Sequence, residues 1–187
     1  GAGVSRPGDA CDGIGSAECI IAPLPPKPDF QGMFASNLCA EPYPGEREVS
    51  LAFANAAGTA LKWYRDTFER ELAVSCAARG ENAYAVLNGT LSDVPSPLLF
   101  LPHLAGTGTP HMDARATGML SGLTLSTTKA DIYRAIYEGT NFEIRVNLEL
   151  LRRTGFEIGS LTAVGGGAAE AALAIKADIL ETPIWTL

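Results

Sequence analysis

Two glycine-containing segments could bring the backbone close to a phosphorylated or planar ligand. Gly165, Gly166 and Gly167 follow a β-branched strand end and precede a helix-like segment, and residues without a Cβ let a ligand approach the main chain. In residues 12–16, two glycines precede Ser16, so that backbone N–H groups and the serine O–H could meet phosphate oxygens. Two simpler interpretations stay open, a tight strand-to-helix turn for the first segment and an ordinary hairpin for the second.

The cysteines and histidines do not form a pattern typical of a metal site or of a disulfide framework. None of the four cysteines belongs to a C-x-x-C motif, and the chain contains only two histidines. We therefore expect no metal ligand in this chain, and instead expect buried, reduced thiols and packed histidines. The residues concerned are Cys11, Cys19, Cys39, Cys76, His103 and His111.

Size and composition predict a single folded domain. The chain has 187 residues, of which 47% are hydrophobic and 19% charged, which is enough apolar material for one core. The net charge of −7 argues against binding to nucleic acid or to an anionic membrane surface. The sequence shows neither an apolar run long enough to span a membrane nor a signal peptide, so we expect a cytoplasmic chain without these partners.

The first half of the chain has the signals of strands followed by helices. Short apolar stretches are separated by glycines and prolines, and a stretch with apolar residues at about 3.6-residue spacing follows them. The predicted elements are strands over 10–16, 19–22 and 34–39, an amphipathic helix over 48–72, and a mobile connection over 75–97 with a short helix near 83–87.

In the second half, helices alternate with strands. Thr128 and Asp131 have the spacing of a capping box, which predicts the start of a second amphipathic helix. The predicted elements are a helix over 128–153, a strand over 161–164, a helix over 168–180 and a last strand over 183–187. Both halves together predict an α/β domain with a mixed sheet flanked by helices.

A series of short motifs extends along nearly the whole chain. The motifs are Gly1-Ala2-Gly3-Val4, Pro7-Gly8-Asp9, Ile14-Gly15-Ser16, Gly58 with Leu61-Lys62-Trp63-Tyr64-Arg65-Asp66, Leu99-Phe100-Leu101-Pro102 with Thr109-Pro110 and Asp113, Glu138-Gly139, and Gly165-Gly166-Gly167-Ala168 with Lys176-Ala177-Asp178. In this order they resemble the C-terminal domain of the FGGY carbohydrate kinases, the sugar kinases of the actin-like ATPase superfamily. The resemblance implies an actin-like ATPase fold, which is ribonuclease H-like.

The resemblance also implies a function. The family transfers the γ-phosphoryl group of ATP, together with Mg²⁺, to a hydroxyl of a ketose or related carbohydrate, and we favour a pentulose such as xylulose. This chain would be the nucleotide-binding half of such a kinase. The alternative is a non-catalytic actin-like module that binds a nucleotide or a protein.

The matching motif positions suggest binding residues. Gly165, Gly166, Gly167 and Ala168 would contact adenosine, and Gly58 and Lys62 would lie near the base and ribose. Gly15 and Ser16 would bind the phosphates, and Glu18 would face the substrate cleft. Two of the departures from the family pattern concern the binding residues. Glu18 replaces a glycine and puts a carboxylate near the phosphates, and Glu170 stands where a Ser or Asn contact to adenine is usual.

By the same resemblance, the chain corresponds to one part of a longer kinase. We expect residues 1–187 to be the C-terminal nucleotide-binding domain, with the N-terminal domain absent and the C-terminal end truncated. In the family, the catalytic aspartate would stand before Gly1, so we expect no catalytic residue in this chain. We expect the sugar substrate to be bound through the N-terminal domain, and a homodimer is left open.

Overall fold

The fold is described from a computed structural model, which describes residues 2–45 and 47–187. Gly1, which begins the motif series, and Glu46 lie outside the described residues. Among the described residues, no helix is both long and apolar enough to cross a membrane. The elements are β1 (Gly8–Ile14), β2 (Glu18–Pro23), α1 (Phe30–Ala35), β3 (Glu41–Tyr43), β4 (Arg47–Ala54), α2 (Gly58–Phe68), α3 (Arg70–Arg79), α4 (Ala83–Asn88), β5 (Leu99–Leu101), β6 (Met119–Ser121), α5 (Lys129–Arg153), β7 (Ile158–Val164), α6 (Glu170–Leu180) and β8 (Ile184–Thr186).

A mixed sheet is the centre of the fold, with its six strands in the order β3-β4-β2-β1-β7-β8. The strands from β3 to β1 pair antiparallel, whereas β7 pairs in parallel with both β1 and β8. Parallel neighbours need crossover connections, and the helices α5 and α6 lie in these connections. β5 and β6 form a separate antiparallel ribbon. This architecture confirms the predicted α/β class with a mixed sheet.

The 25-residue helix α5 contributes to two apolar clusters. Its C-terminal half packs on the sheet, and its N-terminal half packs against α2, α4 and β5. The buried α5 side chains are Ile144, Leu148 and Leu151 in the sheet cluster and Tyr133, Ala135 and Ile136 in the helical cluster. One continuous helix therefore holds the sheet and the helical region in a common frame.

The start of α5 confirms the capping prediction. The backbone N–H of Thr128 donates to Asp131 Oδ2 at 2.8 Å, and the backbone N–H of Asp131 donates to Thr128 Oγ1 at 3.2 Å. These two bonds satisfy N–H groups that have no partner inside the helix.

Residues 48–72 do not form the single helix that their spacing predicts. Residues 48–54 belong to β4, and the helical residues after them are divided between α2 and α3. In β4, the small side chains of Ala52 and Ala54 are buried while Leu51 and Phe53 are half-buried, which is the two-residue alternation of a strand. Pairing with β2 on one side and β3 on the other outweighs the weak helix preference of these residues.

The predicted strand over 34–39 is also wrong. Phe34 is in helix α1, and a turn follows the helix. The carboxylate of Asp29 accepts the N–H of Gly32 at 2.9 Å and caps this helix. The cap at Asp29 starts a helix that includes the first part of the short apolar stretch, and this local interaction outweighs its strand preference.

The connection over 75–97 is anchored rather than mobile. Its first part belongs to α3, and the short helix predicted near 83–87 is confirmed as α4. Arg134 Nη1 donates to the carbonyl of Ser92 at 2.6 Å, and the N–H of Ser96 donates to the Glu138 carboxylate at 3.2 Å. The end of the connection is therefore bound to α5.

Candidate functional site

Three chain segments meet at one end of the sheet. They are the hairpin of residues 15–17 between β1 and β2, the N-terminal end of α2, and the glycine turn of residues 165–167 between β7 and α6. The N–H of Gly58 donates to the carbonyl of Gly15 at 3.0 Å, and the N–H of Gly167 donates to the carbonyl of Ile14 at 3.3 Å. The structure thus brings five of the predicted site residues together: Gly15, Ser16, Gly58, Gly165 and Gly167.

Close packing explains why three of these positions are glycine. A Cβ on Gly58 would lie 2.5 Å from the carbonyl oxygen of Gly15, and a Cβ on Gly165 or Gly167 would overlap with Ile14. Gly165 also has a φ of 106°, which other residues rarely adopt. At these positions the approach of the three segments is itself enough to require glycine.

Gly166 differs from its two neighbours. It is exposed, its φ lies outside the left-handed region, and no atom lies within 4 Å of the place of a Cβ. Neither packing nor backbone conformation requires glycine here. The open space above the Gly166 main chain is therefore where a planar ligand could lie against the turn.

The hairpin tip presents hydrogen-bond donors to solvent. Gly15, Ser16 and Ala17 are exposed. The Ser16 carbonyl accepts the N–H groups of Ala57 and Thr59 at 3.1 and 3.0 Å, which holds the hairpin on α2. In the described part of the chain, the Ser16 N–H and hydroxyl donate to no other group, so both are available to an anion.

A buried cluster of charged side chains, Asp12, Glu18 and Lys176, lies beside the hairpin. The Lys176 ammonium on α6 contacts the carboxylates of Asp12 on β1 and of Glu18 on β2. None of the three residues is more than 2% exposed. Because two carboxylates share one ammonium, the fully ionised cluster would carry one negative charge in excess in a site that water does not screen.

The pKa shifts in this cluster follow from burial and from the unequal charges. Burial raises the pKa of Glu18 to about 8; Lys176 acts in the opposite direction, and Asp12 adds to the rise. Burial lowers the pKa of Lys176, but the attraction of Glu18 and Asp12 outweighs it, so the pKa lies above its usual value. We therefore assign one proton to the carboxylate pair near neutral pH, which makes the cluster neutral.

Two predicted site residues have other partners in the structure. Glu18, expected in the substrate cleft, is buried, and its Oε1 accepts from the Lys176 ammonium. This placement corrects the expectation, because the carboxylate does not face an open cleft. Lys62, expected near the base and ribose, has an exposed side chain whose ammonium lies 2.7 Å from Asp66 Oδ2 on the next helical turn.

A cavity of about 40 Å³ lies between α2, α5 and α6, next to the charged cluster. Gly58 of α2 and Gly167 of the glycine turn both line this cavity, and its apolar walls include Leu61 and Leu173. A larger open groove of about 670 Å³ on α2, α3 and α4 contains none of the predicted site residues. The smaller cavity is therefore the one that belongs to the candidate site.

The described residues do not supply a metal site. No group of three or more His, Cys, Asp or Glu side chains is arranged to hold a metal ion in the described part of the chain. The two carboxylates nearest the hairpin, Asp12 and Glu18, are engaged by Lys176. Cys76 is buried, whereas the other three cysteines are half-buried, and all four are free thiols. His103 packs against Glu143, with its Nε2 3.3 Å from Oε2.

The comparisons with known proteins identify the family. The sequence model of the FGGY family of carbohydrate kinases, C-terminal domain, matches residues 15–187, so the chain belongs to this family. Its fold is that of the actin-like ATPases. The crystal structure of xylulose kinase from Rhodospirillum rubrum superposes with a TM-score of 0.80 and 26% identity, covering 100% of this chain and 36% of that chain.

Curated relatives include xylulose kinases. The enzyme of Staphylococcus epidermidis is 36% identical over 132 residues, which are 69% of this chain and 25% of the relative. The enzyme of Bacillus subtilis is 29% identical over 191 residues, which are 98% of this chain and 35% of the relative. The chain thus spans about a quarter to a third of the length of these relatives.

Four residues of the site have a role that the sequence does not predict: Asp12, Glu18 and Lys176 as partners of one another, and Asn141 as part of the cavity wall. Asp12 and Glu18 lie on the buried face of adjacent strands, and Lys176 reaches them from α6. Asn141 of α5 lines the cavity. The sequence shows polar residues at inward positions of a strand or a helix, but this pattern does not indicate which residues they contact.

Proposed function

We propose that this chain is the nucleotide-binding part of an ATP-dependent carbohydrate kinase that phosphorylates a hydroxyl of a ketose, with a pentulose such as xylulose favoured. Membership of the FGGY family and the xylulose kinases among its relatives support the reaction class. The remainder of a longer protein would contact the sugar and supply the catalytic aspartate. A cytoplasmic location is part of this proposal.

The observation that carries the proposal is the meeting of the hairpin, the α2 N-terminus and the glycine turn beside one cavity. In the proposed complex, adenosine lies against Gly166 and Gly167, and the phosphates reach the donors of Ser16. The open space above Gly166 and the available N–H of Ser16 support this orientation.

The Lys176 contact removes an electrostatic objection to the proposed phosphate position. A free carboxylate at residue 18 would repel an anion at the hairpin, but Glu18 is paired with Lys176, and the cluster as a whole is neutral with one proton bound. ATP-dependent kinases of this class use Mg²⁺, yet the described residues do not fit a metal, and we assign none of them to it.

The test of the nucleotide site is Gly166→Val. Since residue 166 has open space and an unstrained backbone, we expect the free energy of unfolding to change by less than about 0.5 kcal/mol. The valine side chain fills the space proposed for adenosine, so ADP affinity should fall at least about tenfold, a loss of about 1.4 kcal/mol. Thermal unfolding and calorimetric ADP titration of the same preparation measure both quantities.

Gly165→Ala is the matched control for this variant. Its φ of 106° predicts a loss of stability of about 1 kcal/mol or more through backbone strain. A Gly166→Val protein that keeps both its stability and its ADP affinity would contradict the adenosine assignment. Loss of stability in both variants would favour a purely structural turn.

An activity assay on the longer protein distinguishes the kinase from the alternative function, a non-catalytic actin-like module. Sugar-dependent ADP formation, measured over a panel of pentuloses, hexuloses, sugar acids and glycerol, supports the kinase. Nucleotide binding without turnover on any member of the panel supports the module.

A further inference from the structure

The cavity between α2, α5 and α6 is lined by several polar side chains as well as by Leu61 and Leu173. Its volume of about 40 Å³ is enough for water or for a small polar group, and too small for a whole nucleobase. A base could therefore only place one edge into the cavity from its mouth. The polar side chains that would meet that edge are Glu18, Tyr137, Thr140, Asn141 and Lys176.

All of these polar groups except Asn141 already have protein partners. The Tyr137 hydroxyl donates to Asn88 Oδ1 at 3.1 Å, and the Thr140 hydroxyl donates to the carbonyl of Ile136 at 2.8 Å. Glu18 and Lys176 are hydrogen-bonded to each other, as described above. These four side chains therefore already form hydrogen bonds within the protein.

Asn141 is buried without such a partner. The residue is only 4% exposed, and it lines the cavity. Its side-chain amide makes no hydrogen bond with the described residues, and its atoms are not among the completely inaccessible unpaired ones. The amide therefore reaches the cavity space, where a ligand or water can pair with it. The donor and acceptor of this side chain are both available.

We propose that Asn141 reads the edge of the nucleotide base and selects adenine. The proposal rests on the proposed nucleotide site, because Gly58 and Gly167 line the same cavity. It also supplies a polar contact to the base where Glu170, an exposed residue at the start of α6, replaces the usual Ser or Asn.

The chemistry of the amide favours adenine over guanine. An amide offers one acceptor and one donor side by side, which match the exocyclic amino group and the adjacent ring nitrogen of adenine on either of its hydrogen-bonding edges. Guanine presents two acceptors on one edge. On its other edge guanine presents a carbonyl, a ring N–H and its amino group. An amide can pair with the first two, and the amino group is then left without an acceptor, because the other polar side chains of the cavity already have partners.

The first experiment uses the unaltered chain and changes the base. Dissociation constants are measured by calorimetry for ADP, for GDP and for the diphosphate of purine riboside, which lacks the exocyclic amino group. A bidentate amide contact predicts that ADP binds about tenfold to a hundredfold more tightly than either analogue. Equal affinity for the three diphosphates would overturn the role of Asn141 while leaving the nucleotide site intact.

The second experiment removes the amide. Asn141→Ala should weaken ADP binding by about tenfold or more and abolish the preference for ADP over the purine riboside diphosphate. Asn147→Ala is the matched control: Asn147 is a fully buried asparagine of the same helix whose Oδ1 accepts from Thr109 at 2.8 Å. This control should lose stability and retain the preference.

The two variants distinguish a specific contact from a loss of folding. If Asn141→Ala retains the ADP preference of the unaltered chain, the inference is wrong and the proposed function stands. If Asn141→Ala does not fold, the ligand series on the unaltered chain decides the question. If the unaltered chain binds no adenine nucleotide, both the proposed function and the inference fail.

Discussion

Two buried ion clusters in the described part of the chain are built in different ways. Arg134 and Glu138 lie one turn apart on α5, with Nε 2.6 Å from Oε1, and the Glu138 carboxylate also accepts the N–H of Ser96. The charges of this pair balance. In the other cluster, Asp12 and Glu18 share Lys176 across three elements, and Asp12 Oδ1 has no hydrogen-bond partner in the described part of the chain.

The first cluster joins residues that are close in the chain, whereas the second joins elements that are distant in the chain. The Arg134 pair forms within one helix and fastens the connection before β5 to it. The Lys176 cluster joins α6 to the strands on either side of the hairpin, so it fixes the glycine turn relative to the hairpin. Breaking the first cluster should loosen a connection, whereas breaking the second should disturb the nucleotide site.

The largest effect is expected from Lys176→Met. The substitution leaves Asp12 and Glu18 buried without a counter-charge, and removing one partner of a buried ion pair costs about 3–5 kcal/mol. Chemical denaturation measures this loss. Adding Asp12→Asn and Glu18→Gln to the same protein removes the uncompensated charge and should restore a large part of the stability. Failure of the triple variant to recover would show that the charges are not the cause.

A smaller effect is expected from Arg134→Met. Glu138 keeps the bifurcated hydrogen bond that the Ser96 N–H donates to both of its carboxylate oxygens, so the loss should be about 1.5–3 kcal/mol. Hydrogen exchange should increase in residues 89–97, which Arg134 holds through the Ser92 carbonyl, and ADP affinity should stay unchanged. A loss of ADP affinity equal to that of Lys176→Met would remove the distinction between the two clusters.

A pH dependence of stability is expected from the Lys176 cluster alone. The pKa of Glu18 is raised from 4.5 to about 8 in the folded protein, so the folded state binds the extra proton between these values. The stability from this proton is complete below the unfolded pKa and is lost as pH rises through the folded pKa. The free energy of unfolding should therefore fall as pH rises from about 5 to about 8, by at most about 1.4 kcal/mol per pH unit.

Glu18→Gln should flatten this dependence, because it removes the titrating group and leaves Asp12 and Lys176 as a balanced pair. The raised pKa of Lys176 acts above 10.5 and does not contribute in this range. Glu138→Gln is the matched control, since it replaces a buried glutamate outside the cluster. A Glu18→Gln protein with the same slope as the unaltered chain would contradict the protonation that we assign to the cluster.

Elements with strong local signals were predictable from the sequence. The capping box at Thr128 and the glycine turn before α6 form where the sequence indicates. The helix predicted over 48–72 failed because its first part pairs with β2, and sheet pairing depends on a strand that is distant in the chain. The strand predicted over 34–39 failed because the cap at Asp29 starts a helix that extends into this short apolar run.

The candidate site was predictable in its main-chain parts and not in its side-chain contacts. Glycines that permit close approach are recognisable by type and spacing, and the structure brings Gly15, Gly58 and Gly167 together. The sequence does not distinguish Gly166, which has open space, from Gly165 and Gly167, which are packed. That distinction depends on Ile14, which lies on a strand more than a hundred residues away in the chain.

The sequence by itself determined the family, the α/β class and the segments that form the hairpin, α5 and the glycine turn, because these depend on motif order and on interactions between near neighbours. Only the tertiary structure decided that Glu18 pairs with Lys176, at a sequence separation of 158 residues, and that Asn141 lines a cavity with no hydrogen-bond partner among the described residues. Whether a carboxylate is paired or an amide is satisfied depends on what the folded chain brings within hydrogen-bond distance and shields from water.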